Sequence, residues 1–330
     1  MKINIIGCGL AGVTSAILLK EQGHDVEIFE MRDHIAGNCF DKKQEGVTVH
    51  MYGAHIFHTP DKEVWDFVNR YSKFNNYEHK VRANTKHGLI SIPYNKKTAE
   101  QIGKDLTSKE IQDLIFKDYS ERHWGIPWEE LPKSISGRVP NKRDNYDERY
   151  FTEDYQGIPV NGYTEMFKSM LDGIKVNLGV SKDDYKNLKC DKMIYTGKPD
   201  EFFDFSFGRL PYRSLRFEHF RGARNDDFSF EKGNVINECN NRKFNRTGDN
   251  GVFLNETDLD HTIYTRDYPE EHDETNDPIY PKNFGEGQKV YDKYKQAIQS
   301  EKDVVFLGRL ASYKYLDMWM AIKQVMKKLK

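Results

Sequence analysis

The first thirty residues restrict the fold more than any other part of the chain. Residues 3–6 are a short apolar run, and Gly7, Gly9 and Gly12 follow at GxGxxG spacing. Val13, Ala16, Ile17 and Leu19 then recur at helical period, and Gly23 is placed to stop that helix. Residues 26–29 read as a second strand that ends at Glu30. Each glycine has a physical task in such a strand–turn–helix unit. The first allows the tight turn, the second lets backbone approach a pyrophosphate, and the third lets helix and strand pack closely. The helix N-terminus offers unpaired N–H groups to the anion. An acid at the end of the second strand suits ribose hydroxyls and argues against a 2′-phosphate. The motif therefore predicts dinucleotide binding.

A chain of 330 residues holds about two domains, or one large interrupted one. The net charge of -2 gives no reason to expect nucleic acid or an anionic membrane as partner, so any basic site must be local. The four cysteines, Cys8, Cys39, Cys190 and Cys239, form no CxxC pair, which argues against a zinc site and a disulfide framework. No metal is expected. The apolar start is too short for a signal peptide, and no run reaches the roughly 18 apolar residues of a membrane span. These features predict a soluble cytoplasmic protein.

Further along, residues 62–72 read as an amphipathic helix, 81–94 as strands, and 97–120 as helix in two pieces. Residues 138–155 are polar and aromatic and read as irregular or edge-like. A helix begins near Thr164 and closes within 169–173, and 193–197 read as a strand ending in a turn. Residues 209–265 alternate polar and apolar, as antiparallel sheet does. The charge run 270–274 reads as a solvated loop, and 304–309 as a last buried strand. Trp319, Ile322, Met326 and Leu329 form the packing stripe of a terminal helix.

Two later features choose between nicotinamide and flavin. Arg32, Gly37 and Asn38 follow the second strand, and Tyr195-Thr196-Gly197 and Gly308-Arg309 stand at later strand ends. This pattern resembles flavoproteins of the glutathione-reductase type.

The segment Tyr52-Gly53-Ala54-His55-Ile56-Phe57-His58-Thr59 resembles the YG[AP]HIFHT motif of the UDP-galactopyranose mutases. Trp124-Gly125, Leu131-Pro132, Arg138-Val139-Pro140, Tyr150-Phe151 and Gln156-Gly157-Ile158-Pro159 match in the same order. So do Gly162-Tyr163-Thr164, Tyr212-Arg213-Ser214, Tyr280-Pro281, Gly308-Arg309-Leu310 and Tyr313-Lys314-Tyr315-Leu316-Asp317-Met318. The resemblance covers essentially the whole chain.

It implies an α/β fold: an FAD-binding Rossmann-like domain with an inserted antiparallel β-sheet domain and a reduced helical domain. The FAD-binding domain would comprise 1–75, 155–206 and 285–330. The substrate sheet would comprise 76–94, 138–154 and 207–284, and the short helical domain 95–137, with a mobile lid around Trp124. The implied activity is interconversion of UDP-galactopyranose and UDP-galactofuranose by reduced FAD. In that family flavin N5 attacks the anomeric carbon and displaces UDP, and a flavin–sugar iminium lets the ring open and reclose without net redox change.

By the same resemblance Arg138 and Arg246 stabilise the diphosphate, a task suited to the planar guanidinium fork. His58 lies near the reactive edge of the flavin. Phe116 and Tyr119 hold the uracil, and His79 takes a uridine contact. Trp124, Tyr150, Tyr280, Tyr315 and Asp317 surround the diphosphate and sugar. Gly7, Gly9, Gly12, Glu30, Arg32, Gly37, Asn38, His55 and Arg309 hold FAD. The implied partners are a UDP-galactose-type nucleotide sugar and an external reductant such as NAD(P)H, with the protein a monomer or homodimer.

The chain also departs from the family pattern. Ala36 stands where a glycine is usual, and Phe244-Asn245-Arg246 replaces Tyr-Thr-Arg. One extra residue between Arg138 and Tyr150 leaves either Lys142 or Arg143 as the second arginine of the family. The segment 95–119 is short, which removes helices that help form the family dimer. Galactose and N-acetylgalactosamine remain open as the sugar. An amine-oxidase-type FAD oxidoreductase and a non-catalytic nucleotide-binding module are the alternative readings.

Overall fold

The computed structural model describes residues 1–137 and 142–330, apart from the side chain of Ser134. A five-stranded parallel sheet has the order Val304–Phe306, Lys192–Tyr195, Lys2–Ile6, Asp25–Phe29, Lys175–Asn177. The central strand Lys2–Ile6 is buried from Ile3 onward, as a strand covered on both faces must be. The helix Leu10–Glu21 covers one face and is itself buried over ten of its twelve residues. Such a helix needs apolar neighbours all round. The C-terminal helix Met318–Leu329 supplies Ile322, Val325 and Met326 to the same core. Gly23, with φ +83°, lies just beyond the end of the first helix, as expected.

A seven-stranded sheet runs Tyr280–Pro281, Tyr212–Ala223, His261–Glu271, Arg246–Asp249, Val235–Glu238, Val81–Thr85, Gly88–Ile92. Its neighbours are antiparallel except Val235–Glu238 beside Val81–Thr85. The alternation read over 209–265 therefore forms sheet. The stretch read as two helical pieces forms Lys96–Ile102, Ser108–Ile111 and Lys117–Trp124, the last two joined by the π-helical turn Gln112–Phe116. Such a wider turn re-aims the side chains that follow it. Phe57–Thr59 pairs with Tyr155–Gly157, which fixes the histidine segment against the chain after Glu153.

The reading of 270–274 as a solvated loop is corrected in its first two residues: Glu270 and Glu271 finish the strand His261–Glu271, and the loop begins at His272. Glu271 Oε1 lies 2.6 Å from Nη1 of Arg213, whose side chain is buried. A buried guanidinium needs an anion, and that need holds Glu271 in the strand. Among the described residues no helix is long and apolar enough to cross a membrane.

Candidate active site

The glycine turn has the shape that close backbone approach requires. Gly7 has φ +102°, and a Cβ on Gly12 would run into the Gly7 carbonyl oxygen. Gly37, with φ +55°, comes so close to Gly9 that its Cβ would sit 3.0 Å from the Gly9 Cα. The helix begins after Gly9 with no side-chain cap and no acid in its first turn, so its N-terminus keeps its partial positive charge. Buried Glu30 accepts the Cys8 N–H at 2.7 Å with Oε2 and the Arg32 N–H at 2.9 Å with Oε1. Burial pushes the Cys8 thiol up to about 12, so it stays neutral beside that carboxylate. These residues fit the pyrophosphate and a ribose of FAD. Arg32 is engaged with the protein itself: Nη1 donates to Asn38 Oδ1 at 3.0 Å, and Nη2 lies 3.0 Å from Asp277. It braces Asn38.

A cavity of about 930 Å³ opens beyond this turn, bounded by the seven-stranded sheet, the helix Lys117–Trp124 and residues 309–320. Asn38, His55, His58, His79, Phe116 and Tyr119 line it. So do Trp124, Tyr150, Arg246, Tyr280, Arg309, Tyr315 and Asp317. Residues spread over most of the sequence thus meet in one place. Gly7, Gly9, Gly12, Glu30, Arg32 and Gly37 form the separate turn described above. Arg138 lies outside the described residues. Of the two candidates for the second arginine, Arg143 lines the cavity, whereas Lys142 pairs with Asp105 at 2.7 Å.

Arg246 is the central cation. Its Nη2 donates to the Tyr119 hydroxyl at 2.9 Å, and its Nε lies 2.7 Å from Asp267 Oδ2 without pointing its N–H along that line. Burial disfavours the guanidinium charge, but Tyr119 and Asp267 outweigh it and hold the group above its ordinary value. Burial pushes the Asp267 carboxyl up to about 6 against the pull of Arg246.

The aromatic wall is layered. Tyr280 and Tyr315 stack with centroids 5.3 Å apart, and the Arg309 guanidinium sits 5.6 and 5.3 Å from their respective centroids. Arg309 is oriented by donating to the Leu316 carbonyl from Nε at 3.1 Å and Nη2 at 2.7 Å. Trp124 folds inward, 6.1 Å from Tyr280 and 5.8 Å from Phe284.

The histidines differ in their surroundings. Burial pushes His55 down to about 4 and His79 to about 3, so both imidazoles are neutral near pH 7. The His55 Nδ1 contacts the Gly53 carbonyl at 2.9 Å. His58 Nδ1 lies 3.1 Å from Glu153 Oε1, and its ring stacks on Phe151 at 3.6 Å.

Sequence reasoning missed Asp267, Glu153, His123 and Asn245. The first three line the cavity, while buried Asn245 ties its wall to the neighbouring helix. An acid inside an alternating strand was the available sign for Asp267; His123, next to Trp124, shares the contact with Tyr280, 4.8 Å away. Among the described residues no group of His, Cys, Asp and Glu could hold a metal ion.

Comparison with known proteins identifies the architecture. Residues 114–315 match the family model described as UDP-galactopyranose mutase, and residues 5–71 match an NAD(P)-binding Rossmann-like domain. A dTDP-fucopyranose mutase of Escherichia coli is 33% identical, with 98% of this chain and 96% of that protein covered. A protein of Klebsiella pneumoniae named probable UDP-galactopyranose mutase is 32% identical, with 98% and 93% covered. The crystal structure of a reduced UDP-galactopyranose mutase superposes with a TM-score of 0.77 at 13% identity, covering 99% of this chain and 94% of that one; this likeness speaks for the fold. With a dinucleotide turn opening onto an Arg–Tyr cavity, and with these matches along nearly its full length, the chain belongs to the UDP-galactopyranose mutase family, whose members are FAD-dependent isomerases.

Proposed function

We propose that the protein interconverts UDP-galactopyranose and UDP-galactofuranose in this cavity. The observation that carries the reading is the placement of Arg246. A half-buried cation held by Tyr119 and Asp267 lies in the same cavity as the Tyr280–Tyr315 stack and Asn38 of the dinucleotide site. When bound and reduced, FAD supplies the nucleophile that takes the anomeric carbon from UDP.

The residues of the chain do the rest. Arg246 meets the charge that grows on the departing diphosphate, a role that fixed cations perform best in a water-poor site. Arg138 is assigned the same role from sequence alone. Tyr150, Tyr280, Tyr315 and Asp317 orient the diphosphate and sugar. Phe116 and Tyr119 offer flat faces to the uracil, with His79 near the uridine. Trp124 closes the cavity to water. Arg143 is the better candidate for the second arginine because it lines the cavity. NAD(P)H is the proposed external reductant, and a monomer or homodimer in the cytoplasm the proposed state.

The Escherichia coli relative carries a different substrate name, a thymidine-linked 6-deoxy sugar. The test therefore incubates the dithionite-reduced holoenzyme separately with UDP-galactofuranose and dTDP-fucofuranose and follows each by HPLC. Conversion of the first, only under reduction, supports the proposal. Preferential turnover of the second reassigns the sugar. Equal activity with oxidised flavin would sink the proposed chemistry.

A further inference from the structure

From the contact between their side chains, we infer that Glu153 is a positioning residue for His58: it accepts the Nδ1–H and thereby presents a lone pair on Nε2 to the cavity. The inference rests on the mutase reading for its consequence but not for its geometry. His58 Nδ1 lies 3.1 Å from Glu153 Oε1. The pairing of Phe57–Thr59 with Tyr155–Gly157 sets His58 opposite Gln156 and brings Glu153 within reach from the loop just before that strand. Phe151 stacks on the imidazole at 3.6 Å and 10°, so the ring is held in its plane as well as at its nitrogen. Both His58 and Glu153 line the cavity, and His58 Nε2 has no hydrogen-bond partner among the described residues.

The two ring nitrogens are chemically distinct, and the bond made by one decides what the other can do. An ionised carboxylate is acceptor-only, so it selects the tautomer with hydrogen on Nδ1. That leaves Nε2 as an acceptor on the reacting side. Pyranose–furanose exchange needs such a group. The sugar oxygen that leaves the ring gains a proton, and the hydroxyl that enters it loses one. Nε2 takes up the proton of the entering hydroxyl as the ring recloses and releases it to water before the next turnover, which balances the proton that the departing oxygen gained on opening, so none is consumed overall.

The test is direct observation of the tautomer. The holoenzyme is labelled with ¹⁵N-histidine, and His58 is assigned by its disappearance in His58→Gln. Long-range ¹H–¹⁵N spectra at neutral pH are then compared for the wild type, Glu153→Gln and Glu153→Ala. The expected result is Nδ1–H in the wild type and in Glu153→Gln, whose amide oxygen still accepts. In Glu153→Ala we expect a shift toward the Nε2–H form. Turnover by Glu153→Ala should fall roughly tenfold or more in kcat, with a much smaller change in KM and unchanged FAD content, because proton handling and not binding is disturbed. A wild-type His58 in the Nε2–H form, or a tautomer or kcat that Glu153→Ala leaves unchanged, overturns the inference. A wild type that shows the expected tautomer yet converts neither nucleotide sugar instead points to failure of the mutase reading.

Discussion

Asp267 stands opposite Arg246 in the sheet register and places Oδ2 2.7 Å from its Nε. The pair is the electrostatic centre of the cavity, and its two halves respond differently to pH. Burial raises the Asp267 carboxyl to about 6, above its unfolded value of 3.8. Between those values the folded chain holds a proton that the unfolded chain has released. Protonation therefore favours the folded state, and stability from this group is gained as pH falls from 7 through 6 and lost as pH rises. Asp267→Asn removes the titration. We expect the melting temperature of the wild type, relative to Asp267→Asn, to rise on the order of 2–4 °C between pH 7 and pH 5. Calorimetry at both pH values decides it, and a constant difference would show that Asp267 titrates elsewhere.

Arg246 itself should be hard to replace. Lysine keeps the charge but loses the fork that reaches Tyr119 and the diphosphate together. Arg246→Ala should remove detectable turnover while the flavin stays bound, because the dinucleotide turn is a separate structure. Arg246→Lys should lower kcat/KM by roughly tenfold to a hundredfold, given about 1.5–3 kcal/mol for a charge-assisted contact. Steady-state rates with the flavin absorbance of each variant test this. Near-normal turnover in Arg246→Ala would refute the diphosphate role.

At the other end of the site, Glu30 accepts two backbone N–H groups and keeps lone pairs for a ribose. Glu30→Ala should weaken FAD binding by roughly tenfold or more on the same per-contact energy. The measurement is the ratio of flavin to protein absorbance after gel filtration, followed by titration with FAD. Retention of stoichiometric flavin would show that Glu30 only braces the turn.

What could be read in advance follows from how local each requirement is. Gly7, Gly9, Gly12 and Glu30 lie within one strand–turn–helix–strand unit, so their spacing alone reports their geometry. The cavity tyrosines and Arg246 were placed by ordered motif resemblance, because no short-range pattern joins Tyr119 to Arg246. Glu153 and His58 meet across 95 residues, and His123 and Asn245 across 122. Those pairs arise from sheet register and helix docking, which leave no periodic trace. The same holds for the ion pair of Glu271 with Arg213, 58 residues away.

The helix carrying Tyr119, His123 and Trp124 is fastened to the sheet by polar contacts as well as by the packing of Trp124, which gives a final prediction about closure. Asn245, fully buried, accepts the Arg122 Nε–H at 3.1 Å with Oδ1. Its amide nitrogen donates to the Tyr119 carbonyl at 3.4 Å. At the helix end, Arg213 donates to the His123 carbonyl at 2.8 Å and the Arg122 carbonyl at 3.0 Å, satisfying groups that the helix leaves open. Its positive charge also suits the negative end of the helix dipole. Arg213→Met keeps the length but removes these bonds and leaves the carbonyls unpaired. We expect the helix end to open more often, so that Trp124 becomes more accessible to a fluorescence quencher and UDP binds roughly tenfold more weakly. The chain has four tryptophans, so the same measurement in a Trp124→Phe background isolates its signal. Quenching and UDP affinity equal to the wild type would mean that packing of Trp124 against Tyr280 and Phe284 holds the helix without Arg213.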